Sequence, residues 1–403
     1  MSSKDIERTI ISQESFSQEL LLGQINSLIK ARKTIIPFAK NKALFSQKIS
    51  NENITYLDLA NYNAIEEYSP ADQVLTVQSG IKIGVLQDFL AKENRCLPIG
   101  YSNVETTLLD VLLTGEIGPL ENILGGLNRH ILGLTSIIGT GELVKSGGKV
   151  VKNVSGYDLT HFFIGSYGYF AIPIKANIRL YALPEQFVTI WVSNNDWHKL
   201  VEAAKQISNT NIALAYLELF VANLTTMKNK TPEDKFIMAL QTYGDEYLIK
   251  RAIETVDNIL VKTGLTYYII KNDADQNTIL KELNQASPLV CKILDLSINR
   301  ADLANLLANR LISSFPFIYR INTNRMRFCI NSSSDQDILL RELASYANQR
   351  KLNLSVVYSD NDHMRKMVHL GYDTKNGGHL SVIKKQLKAQ LDPNNLFNPY
   401  VDL

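Results

Sequence analysis

A chain of 403 residues is too long for one ordinary hydrophobic core, so its length predicts two domains. Hydrophobic residues make up 45% of the chain and charged residues 20%, which is typical of a globular protein. The formal net charge is +2 and the basic residues are dispersed, so the composition argues against binding to nucleic acid or to an anionic membrane surface.

The three cysteines, Cys96, Cys291 and Cys329, lie far apart and mostly in apolar surroundings. This spacing fits buried thiols in a reducing compartment better than a disulfide framework. No CxxC pair occurs, so we expect neither a zinc site nor an iron–sulfur site within this chain. Residues 1–8 are polar and charged, and no apolar run is long enough to span a bilayer. We therefore interpret the protein as cytoplasmic.

Helical and extended patterns alternate over residues 4–100. Apolar residues at helical spacing predict a helix over 4–33, followed by a short strand at 34–37. The connection that follows, 38–45, is polar and contains no glycine. Further along the chain we predict a strand that runs into a turn over 56–65, a strand at 74–80, a helix at 83–90 and an extended piece at 95–100.

A broken helix and a hairpin follow. Residues 106–113 predict the beginning of a helix, which the glycines and proline of 114–119 interrupt. Two apolar segments surround Gly139 and Gly141, and this pattern predicts a β-hairpin over 131–144.

The stretch 147–172 predicts a strand, a tight turn, a short helix and a second strand. Val150, Val151 and Val154 favour extended backbone. Asp158 is a candidate N-cap for a helix that Gly165 ends. Free N–H groups at such a turn and helix start can hold an anion. From these residues alone, an ordinary crossover of an α/β domain is the more common explanation of the pattern.

The second half of the chain alternates strands and helices densely. This density predicts an antiparallel sheet with helices on one face, so the fold class is α+β. A polar loop at 360–378 precedes a final helix over 379–391. The predicted strands cover 187–192, 214–220, 236–243, 266–270, 290–298, 318–330 and 354–358, and the predicted helices cover 196–208, 246–263, 276–285, 300–313 and 335–350.

The order of these segments resembles the FAD-linked oxidases of the vanillyl-alcohol-oxidase type, whose FAD-binding domain is called PCMH-type. Within that family it is most similar to the FAD-binding accessory subunits of glycolate oxidases. The resemblance is dense over residues 30–180 and returns at 377–399, where Asn398 and Pro399 match the family's ending. The segments that carry it are 56–60, 74–80, 86–90, 97–98, 114–119, 131–143, 148–159, 165–172 and 397–399.

The resemblance implies three regions. Residues 1–182 would form a two-lobed FAD-binding domain, 183–376 a cap or substrate domain, and 377–403 a tail that returns to the FAD domain. It also implies oxidation of a small 2-hydroxy acid such as glycolate. Its partners would be a glycolate oxidase-like FAD catalytic subunit and an iron–sulfur subunit that receives the electrons. Peripheral association with the inner face of the membrane stays an open alternative.

The resemblance implies non-covalent FAD and no metal, and it names no catalytic base. The implied cofactor-binding residues form two groups, one facing the pyrophosphate and one lining the flavin and its ribityl chain. The first group is Thr114, Gly115, Gly118 and Pro119. The second group is Lys152, Asn153, Gly156, Tyr157, Asp158, Gly168 and Ile172.

The chain also departs from the family pattern at its phosphate-facing loops. No glycine occurs in 38–42, and Leu109-Asp110 occupies the position of a glycine pair. Side chains there obstruct the backbone approach, and a carboxylate repels a diphosphate. Two hypotheses follow from this conflict. The chain is an FAD-binding oxidoreductase subunit, or it is a degenerate flavin fold without FAD that has a structural or assembly role in the same complex.

Several single residues have two interpretations. Tyr157 either stacks near the flavin or belongs to the core. Asn398 either orients the tail against the flavin lobe or makes a simple turn before Pro399. His379 either acts near the substrate as a base or orienting donor or is an ordinary histidine at a helix N-terminus, and the short loop after it favours the second. We expect His130 and His161 to serve packing or local hydrogen bonds, and His363 and His369 to lie at the surface rather than bind a metal.

Overall fold

The computed structural model describes residues 17–38, 53–97, 99–100, 106–118, 126–149, 157–224, 234–284, 292–298, 300–309, 311–321, 323–330, 333–352, 354–358 and 378–399. Its α-helices are α1 (Gln18–Lys30), α2 (Ile83–Lys92), α3 (Leu108–Thr114), α4 (Leu159–Phe163), α5 (Trp197–Ser208), α6 (Glu246–Thr263), α7 (Asp273–Asn284), α8 (Arg300–Ala308), α9 (Ser333–Arg350) and α10 (Gly378–Leu391). Its strands are β1 (Thr34–Phe38), β2 (Ile54–Asp58), β3 (Ile65–Ser69), β4 (Val74–Gln78), β5 (Arg95–Cys96), β6 (Ile131–Ile138), β7 (Leu143–Gly147), β8 (Ala171–Arg179), β9 (Tyr181–Ala182), β10 (Gln186–Asn194), β11 (Leu214–Val221), β12 (Phe236–Gly244), β13 (Tyr267–Ile270), β14 (Lys292–Ser297), β15 (Phe317–Arg320), β16 (Arg325–Ile330) and β17 (Leu354–Tyr358).

The chain divides into two compact units. The first comprises Met1–Ile117, Leu124–Leu183 and His379–Leu403, and the second comprises Gly118–Ile123 and Pro184–Gly378. The C-terminal residues therefore group with the N-terminal unit. The functions that the resemblance assigns to the three sequence regions stay predictions.

The first unit contains a parallel pair and a larger antiparallel sheet. Strands β1 and β2 pair in parallel, and Ile35 of β1 also bridges Phe397 of the tail. The antiparallel sheet has the order β3-β4-β8-β6-β7. Alternate side chains of β8 are buried because one face of this strand packs on the core. The alternation holds for Ile174, Ala176 and Ile178, whereas all four residues from Ala171 to Ile174 are buried at the start of the strand.

The second unit is built on an eight-stranded antiparallel sheet of order β13-β10-β12-β11-β15-β16-β14-β17. Neighbouring residues of β10 enter different apolar layers, because side chains alternate across a strand. Ile190 and Val192 pack in a layer with residues of α5, α6, α8 and α9. Trp191 packs in the other layer, with Ile279 and Leu283 of α7. The α+β class is confirmed, but the placement of all helices on one face is wrong, because α7 covers the opposite face.

The segment predicted as one strand over 318–330 is a hairpin of β15 and β16. Arg320 pairs with Arg325 next to the turn, and Asn324 adopts a positive φ of 52° there. Asparagine tolerates this backbone conformation, which is why it often occupies turns. The helix predicted over 300–313 ends at Ala308, because the Asn309 side chain accepts hydrogen bonds from the Leu311 and Ile312 amides. Strand β3 was not predicted. Helix α1 begins at Gln18, and residues 4–16 of that prediction lie outside the described part.

Candidate cofactor site in the first unit

Helix α3 begins with a capping box. The Asp110 carboxylate accepts hydrogen bonds from the Thr107 backbone N–H at 2.9 Å and from the Thr107 hydroxyl at 2.7 Å. The Asp110 N–H in turn donates to the Thr107 hydroxyl oxygen at 3.3 Å. This reciprocal pair satisfies donors that a helix start otherwise leaves open. Gly115 ends the helix in the left-handed region, with φ 73°.

The remaining donors at the start of α3 are also bonded within the chain. The Leu108 N–H donates to the Ile81 carbonyl at 2.8 Å, and the Leu109 N–H donates to the Ser79 carbonyl at 2.6 Å. The side chains of both leucines are fully buried. All four backbone N–H groups from Thr107 to Asp110 therefore have partners inside the protein. A helix start binds an anion through unsatisfied N–H groups, and these four are satisfied.

Asp110 also places a carboxyl group where a diphosphate would need positive charge. The side chain is 1% exposed, and burial raises the pKa of this carboxyl, although the hydrogen bonds from Thr107 oppose that shift. Its Oδ1 atom has no hydrogen-bond partner among the described residues. The start of α3 therefore does not fit a diphosphate.

The predicted pyrophosphate-facing residues next to α3 are turned toward their own chain. The Thr114 hydroxyl donates to the Asp110 carbonyl at 2.8 Å and accepts from the Glu116 N–H at 3.3 Å. The Gly115 N–H donates to the Val111 carbonyl at 2.8 Å. Gly118 has a positive φ of 76° and belongs to the second unit, and Pro119 lies outside the described residues.

The predicted short helix of the 147–172 stretch is confirmed as α4. The Asp158 side chain accepts from the His161 N–H at 3.1 Å as an N-cap, and its Oδ2 atom also contacts Nδ1 of the His161 ring. Gly165 follows the helix with φ 75°, as predicted for its ending. The Ser146 and Thr160 hydroxyls lie 2.8 Å apart and join β7 to α4. These contacts fix both flanks of the intervening segment, whose Lys152, Asn153 and Gly156 lie outside the described residues.

Two other residues predicted to line the flavin occupy contrasting environments. Tyr157 is 96% exposed, so the expectation of a core aromatic is wrong and its ring is accessible to a ligand. Ile172 is fully buried and pairs with Ile137 in the sheet, so its side chain contributes to the core. Contact of either residue with a flavin stays a prediction.

Gly168 lies in a turn with unusual backbone conformations. Tyr167 and Gly168 have positive φ values of 52° and 75°. A Cβ atom on Gly168 would lie 2.7 Å from Cγ of Pro37, so this position requires glycine for space as well as for conformation.

The C-terminal tail reaches this turn, and sequence analysis found only part of the contact. The Asn398 side-chain amide donates to the Tyr167 carbonyl at 2.7 Å, which confirms the expectation that Asn398 orients the tail. Lys388 was missed, although it is only 5% exposed and donates to the Asp392 carboxylate at 2.7 Å. Burial lowers the pKa of Lys388, and the bond to Asp392 opposes that shift. A lysine four residues before an Asp-Pro pair was the available signal.

The described histidines have local partners, as expected. His130 is fully buried, and its Nδ1 lies 3.0 Å from the Tyr181 hydroxyl. Nε2 of His161 lies 2.6 Å from the Asn128 carbonyl oxygen. Within the part of the chain that the structure describes, no group of His, Cys, Asp and Glu side chains could hold a metal ion. His363, His369 and the His379 side chain lie outside that part.

The chain is similar to several known proteins. Residues 24–147 match the FAD binding domain family. Glycolate oxidase subunit GlcE of Escherichia coli is 26% identical over 175 residues, which are 43% of this chain and 49% of that protein. Glycolate oxidase subunit GlcD of Bacillus subtilis is 22% identical over 395 residues, which are 91% of this chain and 83% of that protein.

The chain is also similar to a dehydrogenase in sequence and to a solved synthase in fold. The D-2-hydroxyglutarate dehydrogenase of Xanthomonas citri pv. viticola is 26% identical over 36% of this chain, but the match spans only 31% of that enzyme. A solved alkyldihydroxyacetonephosphate synthase superposes on 95% of this chain and 74% of its own, with a TM-score of 0.69 and 15% identity. The resemblance to FAD-linked oxidases is confirmed at the level of the FAD binding domain, which residues 24–147 match.

Proposed function

We propose that this chain is the FAD-binding subunit of an oxidoreductase that acts on a 2-hydroxy acid such as glycolate. The observation that carries the proposal is the FAD binding domain over residues 24–147. Relatives named as glycolate oxidase subunits and as a 2-hydroxy-acid dehydrogenase support this class of substrate. The three regions 1–182, 183–376 and 377–403 would serve as FAD domain, cap domain and returning tail.

Bound FAD would supply the hydride acceptor, and the protein would bind and orient it. The start of α3 offers no open donor to the diphosphate, so the cofactor would depend on the flavin-side segments. Among the described residues these are the exposed Tyr157, the capped start of α4 at Asp158 and the turn at Gly168. No side chain is assigned as the catalytic base.

We further propose that the chain works beside a glycolate oxidase-like FAD catalytic subunit and an iron–sulfur subunit that takes up the electrons. The word "subunit" in the names of both glycolate oxidase relatives supports an assembly of this kind. We place it in the cytoplasm or at the inner face of the membrane. None of the helices that the structure describes is both long and apolar enough to cross a membrane.

The test uses the full chain purified alone and after co-expression with its proposed partner subunits. We expect a flavin absorption spectrum that bleaches when glycolate is added without an electron acceptor. Release of the flavin by denaturation then identifies FAD and gives its ratio to protein. Pure protein that is colourless and stays so after incubation with FAD would contradict the proposal.

One observation favours a second function, an FAD-free subunit with a structural or assembly role. It is the capping box of α3, which occupies the donors that a diphosphate would need. Under this alternative the chain copurifies with flavin-containing partners and stabilises them while holding no flavin itself. Flavin content assigned to each separated subunit distinguishes the two functions.

A further inference from the structure

The ammonium group of Lys388 has an acceptor for each of its three N–H bonds. It donates to the Asp392 carboxylate at 2.7 Å, to the Phe397 carbonyl at 2.6 Å and to the Tyr169 carbonyl. It also lies 4.2 Å from the centre of the Tyr169 ring. A buried lysine is costly unless its donors are satisfied, and here one side chain connects the last helix to the turn around Gly168.

Asp392 fixes the tail that follows this helix. Its carboxylate accepts from the Leu396 N–H at 3.0 Å and from the Phe397 N–H at 2.7 Å. The preceding carbonyl, of Leu391, accepts from the Gly139 N–H at 2.8 Å. A Cβ atom on Gly139 would lie 2.3 Å from the Asp392 Oδ1 atom, so the β6–β7 turn approaches the tail closely.

Asn398 completes the connection on the other side of Gly168. Its side-chain amide donates to the Tyr167 carbonyl at 2.7 Å, and its backbone N–H donates to the Ile35 carbonyl at 3.0 Å. Its φ of 36° is positive, which asparagine and glycine tolerate best. Asn398 and Lys388 therefore hold the carbonyls of Tyr167 and Tyr169, one on each side of Gly168.

Holding a carbonyl also sets the direction of the next amide. A peptide unit is planar and trans, so its C=O and N–H point in opposite directions. The bond from Asn398 to Tyr167 thereby sets the direction of the Gly168 N–H. The bond from Lys388 to Tyr169 does the same for the Phe170 N–H. These are backbone donors of the segment that the proposed function places beside the flavin.

We propose that Lys388 and Asn398 are positioning residues that orient the 167–170 segment toward the bound flavin. This inference rests on the proposed function. Neither side chain needs to touch the cofactor, because each acts through the carbonyl that it holds. The C-terminal tail would thus be part of the flavin site, although Pro184–Gly378 of the second unit stands in the sequence between the tail and the FAD binding domain match over residues 24–147.

Variants of Asn398 isolate the effect. Asn398→Gly removes the side-chain donor and tolerates the positive φ, while Asn398→Asp keeps the size and places an acceptor against the Tyr167 carbonyl. We expect FAD affinity to fall about three- to tenfold in Asn398→Gly and further in Asn398→Asp. The flavin midpoint potential should shift in both. The control is Asn394→Ala, which changes an exposed residue of the same tail and should leave both readouts at wild-type values.

Amide hydrogen exchange of a peptide covering 164–172 provides a readout that does not need FAD. We expect faster exchange in both Asn398 variants than in Asn394→Ala. A wild-type protein that binds no FAD would contradict the proposed function, and the exchange measurement would still test the orientation of the segment. The inference would be overturned if both Asn398 variants had the same amide exchange, FAD affinity and flavin midpoint potential as the wild type.

Discussion

The Asp110 carboxylate accepts two hydrogen bonds from Thr107, one from the backbone N–H at 2.9 Å and one from the hydroxyl at 2.7 Å. The glycine pair expected here by resemblance would leave the start of α3 open. The leucine and aspartate present instead close it with a capping box and buried side chains. The helix start is thus specified by its own sequence, and its backbone donors are satisfied within the first unit.

Thr107→Ala should destabilise the first unit by about 2 kcal/mol. The change removes the cap and also leaves the buried Asp110 carboxylate with one hydrogen bond fewer. Urea unfolding of the purified protein measures the loss. Thr107→Ser is the matched control, because it keeps the hydroxyl and should retain most of the stability. Equal losses in the two variants would mean that the hydroxyl does not cap α3.

Asp110→Asn should change how stability depends on pH. The folded pKa of Asp110 lies above its ordinary value of 3.8 because the group is buried. As pH rises from the unfolded pKa of Asp110 to its higher folded pKa, the unfolded chain releases the proton before the folded protein does. The wild type therefore loses stability relative to the asparagine variant over this window. We expect unfolding free energies to favour the wild type more at the acidic end of this window than at neutral pH. A difference that is constant with pH would show that Asp110 is not perturbed.

Gly168→Ala should destabilise the first unit by about 2 kcal/mol or more. The new methyl group would meet Pro37 and would have to adopt a positive φ. Gly23→Ala is the control, because Gly23 is exposed in α1 and a Cβ there meets nothing within 4 Å. That variant should gain about 0.5–1 kcal/mol from helix propensity. The melting temperature and the free energy of unfolding in urea should therefore fall in Gly168→Ala and rise in Gly23→Ala. An increase in both variants would argue against the turn geometry at Gly168.

Lys388→Met should cost about 3–5 kcal/mol, because it leaves the buried Asp392 without its cation. Lys385→Met changes an exposed lysine of the same helix and should stay within about 0.5 kcal/mol of wild type. Urea unfolding compares the pair directly. If the two methionine variants were equally stable, the buried ion pair would not anchor the tail.

Local signals in the sequence predicted local structure well. Asp158 and Gly165 were identified as the two ends of α4 because capping and left-handed C′ residues act within one turn. The capping box of α3 had a comparable signal, since Thr107 and Asp110 follow the Thr-x-x-Asp spacing. The capping box was nevertheless not predicted, because the family resemblance was used at Leu109-Asp110 only to note the absent glycine pair.

Non-local packing was not available from the sequence. The periodicity of α7 shows that one side is apolar, but it does not show which face of the sheet that side covers. The spacing of Lys388 and Asp392 is a local signal, but it does not show that Lys388 also meets the carbonyl of Tyr169 in the turn and that of Phe397 in the folded-back tail. Asn398 was recognisable only because the family ending drew attention to it.

Whether this chain binds FAD is decided by titrating the flavin-free full chain with FAD and following protein-bound flavin by absorbance and fluorescence after removal of free cofactor. We expect saturable binding with one FAD per chain and bleaching of that bound flavin by glycolate or another small 2-hydroxy acid. Absence of bound flavin in the chain alone and in its complex with the proposed partner subunits would contradict it and would favour the FAD-free structural role.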